Sequence, residues 1–194
     1  MVSCDFPEPL GAVVIGASAG GIQALRVVLE GLPQGFAAPV LIVQHIPRDR
    51  PSALVDLFGA YCALPVMEAE DKQRLTGGTV VFAPPDYHLM VESRNALALS
   101  LDEAVVFSRP SIDVLFESAA SVFGEALLAI LLTGASADGS DGIAAVRRAG
   151  GKAWIQCPEE AAASVMPASA LARAGADAVL RLQDMCDRLK GSST

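Results

Sequence analysis

The stretch AVVIGASAGGIQALRVVLEGL, residues 12–32, decides the fold class. Residues 12–16 are apolar without interruption and of strand length. After Gly20 and Gly21, the residues Ile22, Leu25, Val28, Leu29 and Leu32 recur at helical spacing. A strand apolar on both faces that turns through glycines into a helix opens a βα unit, whose sheet is covered on both sides. The alternation repeats along the chain. Residues 40–44 read as a strand, 52–58 as a helix after Pro51, and 126–133 as the most apolar strand, with a helix over 143–149. Residues 153–156 predict another strand, 168–174 a helix, 178–180 a short strand, and Leu182, Met185 and Leu189 a C-terminal helix.

The middle of the chain breaks this rhythm. Residues 79–83, 88–92 and 97–101 are short runs separated by Pro84-Pro85-Asp86 and Ser93-Arg94-Asn95, a spacing that predicts antiparallel hairpins. Helix returns over 111–123, with Ile112, Leu115, Phe116, Ala119, Val122 and Phe123 on one stripe. The expected architecture is a doubly wound α/β domain, a mostly parallel sheet with helices on both faces and a short antiparallel hairpin insertion.

Composition narrows the function. The chain has 194 residues, enough for one ordinary domain and too few for two. Hydrophobic residues at 52% and charged ones at 19% exclude disorder. A net charge of −8 argues against a phosphate-neutralising surface and hence against nucleic acid. The longest strongly apolar run, 126–132, is far short of the ~20 residues that span a bilayer, so no membrane insertion is expected. Residues 1–11 carry Asp5 and Glu8, no basic side chain and no apolar core of a signal peptide, which points to the cytoplasm. Cys4, Cys62, Cys157 and Cys186 form no C-x-x-C pair and read as reduced thiols rather than a metal or disulfide framework.

Open parallel sheets bind ligands beyond the carboxyl ends of their strands, so the residues after each strand carry the functional reading. Gly16-Ala17-Ser18-Ala19-Gly20 has G-x-S-x-G spacing at a strand-to-helix junction, the setting of a nucleophile elbow. The N–H groups of the following helix would face a developing oxyanion. The alternative, small residues that merely permit close packing, needs no chemistry. A dinucleotide site is disfavoured because Ser18 takes the place of the middle glycine and the second strand ends Val43-Gln44-His45 without an acid; no G-K-[ST] completes a phosphate loop. The chain has two histidines. His45 ends the second strand, on the same sheet edge as Ser18, and is the candidate base; His88 lies in the hairpin region and reads as a packed residue. The strand over 126–133 runs into Gly134-Ala135-Ser136-Ala137-Asp138-Gly139-Ser140-Asp141-Gly142. Asp138, nearer the strand end, is preferred over Asp141 as the carboxylate that orients the imidazole. No calcium-loop alternation and no His/Cys cluster accompanies the run, so no metal is expected there.

These residues resemble the catalytic domain of the chemotaxis protein-glutamate methylesterases, the CheB family. The carrying motifs are IGASAGG (15–21), VQHIP (43–47), AEDKQRLTGG (69–78), RPSIDVLF (109–116), LLTGASADGSDG (131–142) and Gln156 followed by Met166-Pro167. The resemblance implies a serine hydrolase with Ser18 as nucleophile, His45 as base and Asp138 as its orienting partner. It implies hydrolysis of γ-glutamyl methyl esters on the cytoplasmic helices of chemoreceptors, deamidation of receptor glutamines, and no cofactor. The family's usual G-A-S-T-G-G and T-G-M-G-x-D-G are altered here, with Ala19 for threonine and Ala135-Ser136 for Met-Gly. Backbone donors near Ala19 and Ala135 survive such changes, so the departures bear on pocket shape. Arg109 and Ser111 are expected to meet the substrate, Arg109 by steering a carboxylate.

The chain is expected to be one catalytic domain over 1–194, with 1–11 as an N-terminal extension and no receiver domain. About a dozen residues precede the first strand, against roughly 100 for a domain. Its esterase activity is therefore expected without phosphorylation. The partners expected are methylated chemoreceptor cytoplasmic domains and a regulatory signalling protein. The competing reading is a catalytically quiet module that binds a receptor or signalling protein through the same cleft.

Overall fold

The computed structural model describes residues 6–46 and 52–191. They form β1 (Ala12–Ala17), α1 (Gly21–Glu30), β2 (Val40–Gln44), α2 (Leu54–Gly59), β3 (Val66–Glu68), β4 (Val80–Phe82), β5 (His88–Ser93) and β6 (Ala96–Ser100). Then follow α3 (Ile112–Phe123), β7 (Leu127–Leu131), α4 (Ser140–Arg148), β8 (Lys152–Gln156), α5 (Val165–Ala174), β9 (Ala178–Leu180) and α6 (Leu182–Gly191). Seven strands make one sheet in the order β3-β4-β2-β1-β7-β8-β9, every pair parallel. β5 and β6 pair antiparallel apart from it. This is the doubly wound architecture the alternation predicts, hairpin insertion included.

One expectation fails. The run over 79–83 belongs not to a hairpin but to the main sheet, where β4 lies parallel to β2 and to β3. Its three residues are buried on both faces, as an interior parallel strand requires. The turn residues behind it make it look like part of a meander. β3 has no counterpart in the sequence reading; at three residues, none of them buried, it is an edge strand with almost no apolar signal.

Side chains alternate across β1 and sort the core into two layers. Val13 and Ile15 face α1, α2 and α6, together with Ile42, Leu128, Ile130 and Trp154. Ala12 and Val14 face α3, α4, α5 and the β5–β6 hairpin, together with Leu41, Val43, Ala129 and Leu131. α1 buries Ala24, Leu25, Val28 and Leu29, the helical stripe seen in the sequence. Each such valine or leucine contributes roughly 1.5–3 kcal/mol on burial.

The winding creates the crevice. From β1 the chain moves to β2, on to the edge strand β3 and back to β4 between them, then returns by α3 to β7 on the other flank of β1. Connections on the two sides of β1 run in opposite directions, so a cleft opens at its carboxyl end. Gly16 fixes how α3 enters this cleft: a Cβ there would lie 2.4 Å from Ile112 Cγ2. Without a side chain at Gly16, the first turn of α3 seats directly on β1.

Candidate active site

Three strand ends converge here. Ser18 follows β1, His45 follows β2, and Asp138 lies in the loop between β7 and α4. Backbone bonds hold the loops in register: His45 N–H donates to Ala17 O at 3.0 Å and Ser18 N–H to Thr133 O at 2.9 Å. Ser18 itself avoids the left-handed backbone of a strained nucleophile elbow. Gly20, at φ 77°, takes up the sharp turn instead.

The Ser18 hydroxyl donates to His45 Nδ1 at 3.1 Å, and His45 Nε2–H donates to Asp138 Oδ2 at 2.9 Å. The imidazole therefore meets these partners through the opposite nitrogens from the serine-protease arrangement, in which Nε2 faces the serine. Either nitrogen of a neutral imidazole can accept a proton while the other donates, so the line remains chemically competent. Asp138 is fully buried, whereas the His45 side chain is 15% exposed.

Asp138 has a second occupation at the start of α3. Its Oδ2 also accepts from Ile112 N–H at 2.8 Å, while Oδ1 accepts from Asp113 N–H at 3.0 Å and from the Ser111 hydroxyl at 2.9 Å. Ser111, the N-cap residue, makes no side-chain cap bond. The carboxylate from the β7–α4 loop caps the helix in its place, at the end where the helix dipole favours an anion. Burial alone would raise the Asp138 carboxyl; the bonds from His45 and from the Ile112 and Asp113 N–H groups outweigh it and hold the group below its ordinary value.

The arrangement is reciprocal. Asp113, in the first turn of α3, accepts from Gly142 N–H at 2.7 Å, in the first turn of α4. Two helix N-termini thus face each other, and each is capped by a carboxylate carried on or next to the other. Gly142 makes this approach feasible, since a Cβ there would lie 2.6 Å from Phe116 Cβ. Two neighbouring buried carboxylates resist ionising together. Burial pushes the Asp113 carboxyl up to about 7, and the Asp138 charge adds to this against the Gly142 N–H. Sequence reading passes over Asp113, which sits inside an apolar helical stripe. A buried-stripe position occupied by an acid is the signal available.

Other motif residues brace the loops. Gln44 Nε2 donates to Ser18 O at 3.0 Å and His45 O at 2.9 Å, clamping the backbones of both. The Thr133 hydroxyl donates to Ala19 O at 2.9 Å and accepts from Ala163 N–H at 2.8 Å. Gln156 Oε1 accepts from Thr133 N–H at 2.8 Å. Met166 packs on Gly134, where a Cβ would lie 2.4 Å from its Cε. Ala19 and Ala135 are both exposed at the mouth, and among the described residues the Ala19 N–H has no acceptor.

Two expectations change. Ser111, expected to touch substrate, is fully buried, and its hydroxyl is committed to Asp138. Arg109 is no free steering charge. Its guanidinium donates twice to Asp86 Oδ1, at 3.1 and 2.9 Å, and to the carbonyls of Leu101 and Asp102 at 2.9 and 3.0 Å. His88 is a packed residue, yet it is not remote from the site: Ser111 N–H donates to its Nδ1 at 3.1 Å and its Nε2–H to Glu103 O at 3.0 Å. Among the described residues no cluster of His, Cys, Asp and Glu could hold a metal, and no helix is long and apolar enough to cross a membrane. Pro47 of the VQHIP motif and Cys4 lie outside the described residues.

Known proteins are similar to this chain in sequence and in fold. A CheB methylesterase family model matches residues 13–189. A Leptospira interrogans protein provisionally named protein-glutamate methylesterase/protein-glutamine glutaminase is 41% identical over 176 residues, covering 91% of each chain. A Cereibacter sphaeroides protein-glutamate methylesterase/protein-glutamine glutaminase is 39% identical over 186 residues, which are 94% of this chain but 50% of that one. The crystal structure of the Thermotoga maritima CheB methylesterase catalytic domain superposes with a TM-score of 0.88 at 31% identity, covering 93% of this chain and 97% of that one. With the family model matching residues 13–189 and the fold shared over 93% of the chain, this protein belongs to the CheB methylesterase family.

Proposed function

We propose that the chain hydrolyses γ-glutamyl methyl esters on the cytoplasmic helices of chemoreceptors, and deamidates glutamines at such positions, through an acyl-enzyme on Ser18. The observation that carries this is the unbroken line from the Ser18 hydroxyl through His45 to Asp138 at the mouth of the sheet's crevice. Its relatives' names supply the substrate class.

In this mechanism His45 Nδ1 takes the proton as Ser18 Oγ attacks the ester carbonyl. Asp138 holds the ring through Nε2 and stabilises its charged form. The exposed Ala19 N–H, just ahead of α1, meets the developing oxyanion. His45 returns the proton to the departing methanol, then activates the water that releases glutamate. Positioned general-base catalysis contributes roughly 10²–10⁴-fold, and one oxyanion donor roughly 10²–10³-fold. No step asks for a metal or cofactor.

The test is methanol release from receptor membranes carrying labelled methyl esters, with wild type and Ser18→Ala side by side. Release by wild type, reduced by roughly 10⁴-fold or more in the variant, is the expected result. Release by neither points to the cleft as a binding site for a receptor or signalling partner.

A further inference from the structure

Beside the crevice stands a hairpin tip that the mechanism leaves unused. Val105 and Ser108 exchange both backbone hydrogen bonds, Val105 N–H to Ser108 O at 3.1 Å and Ser108 N–H to Val105 O at 2.8 Å. The two residues between them are left-handed: Val106 at φ 48° and Phe107 at φ 62°. Such turns ordinarily use asparagine or glycine, and a β-branched residue there is strained. The outcome of this turn is a phenylalanine that is 99% exposed. Phe107 lines, with His45 and Ile46, a hollow of about 90 Å³ at the active-site mouth.

The surroundings hold the tip in place. Arg109 ties the carbonyls of Leu101 and Asp102 to Asp86, and His88 holds Glu103 O. Strain survives only where neighbouring structure over-determines it, and such positions gather at functional sites. An aromatic ring held out in water beside the proposed base has an evident use in binding, because burying it against a partner is where its favourable free energy lies.

We propose that Phe107 seats the ester-bearing helix of the protein substrate beside Ser18, as a residue that determines specificity. This rests on the esterase function above. Charge favours that occupant. Methylation removes the negative charge of a glutamate, and the lip presents exposed apolar side chains flanked by the exposed acids Asp102 and Glu103. A neutral ester-bearing helix face is accepted there, and the anionic product face is repelled.

The experiment compares wild type, Phe107→Ser and Phe107→Leu on two substrates, a methyl-labelled chemoreceptor cytoplasmic fragment and p-nitrophenyl acetate. The expected result is a kcat/KM on the fragment about 10- to 100-fold lower for Phe107→Ser, the size of one lost interface anchor. That loss should lie mainly in KM, exceed any loss on p-nitrophenyl acetate by at least about tenfold, and be largely restored by Phe107→Leu. Equal losses on both substrates, or none on the fragment, overturn the proposal alone. A wild type that cleaves p-nitrophenyl acetate but never the fragment overturns the substrate reading, and this proposal with it.

Discussion

Asp113 shows how one buried side chain sets a pH dependence. Its carboxyl is pushed up to about 7 by burial first, then by the neighbouring Asp138 charge. The folded state therefore holds this proton where the unfolded chain has released it. The stabilisation linked to it is complete below the ordinary carboxyl value of 3.8 and is lost as pH rises through about 7. Asp113→Asn keeps an acceptor for Gly142 N–H but has no proton to lose. We expect urea denaturation to show wild type losing stability relative to Asp113→Asn between about pH 4 and about pH 7; parallel curves would refute the assignment. Asp138 has the opposite sign. Its lowered carboxyl contributes stability above its ordinary value, lost only as pH falls through the depressed one.

At the scale of elements, α3 and α4 meet through their N-termini, so the carboxylate of the proposed triad is also structural mortar. Asp138 accepts from two backbone N–H groups of α3, and Asp113 accepts from one of α4. Removing Asp138 uncaps a helix as well as breaking the line to His45. Asp138→Ala is expected to lower unfolding stability by about 1–2 kcal/mol, whereas Ser18→Ala, which caps nothing, changes it by less than about 0.5 kcal/mol. Equilibrium denaturation of the two variants reads the difference directly. Neither cap is legible in the sequence. Ser111 stands where a local cap belongs, and its hydroxyl serves Asp138 instead. Periodicity locates a helix and its apolar stripe, but not which distant carboxylate closes its first turn.

For the whole molecule, two apolar layers flank one sheet, and Trp154 lies in the layer beneath α1 and α6. It is 1% exposed, with Phe6 edge-on at 5.4 Å. As the chain's one tryptophan, it makes emission a global probe of unfolding. Leu29→Ala, fully buried in the same layer, is expected to cost about 2–5 kcal/mol and to move the Trp154 transition to lower urea in a single step. Separate transitions for emission and far-ultraviolet circular dichroism would show that the layers unfold independently.

By itself the sequence determined the parallel α/β class, the Ser18, His45 and Asp138 candidates, and the strand ends that carry them. The physical reason is that continuous apolar strands, helical stripes and turn glycines are local signals, and a parallel sheet gathers its strand ends on one edge whatever the details. Tertiary structure alone decided the rest. It turned Nδ1 rather than Nε2 toward Ser18. It moved residues 80–82 from a meander into the sheet, enclosed Ser111, and tied Arg109 to Asp86. It also set Asp113 against Asp138 and left Phe107 in water at the lip. Each of these depends on which groups far apart in the chain come within about 3 or 4 Å of one another, and a single sequence carries no local mark of that.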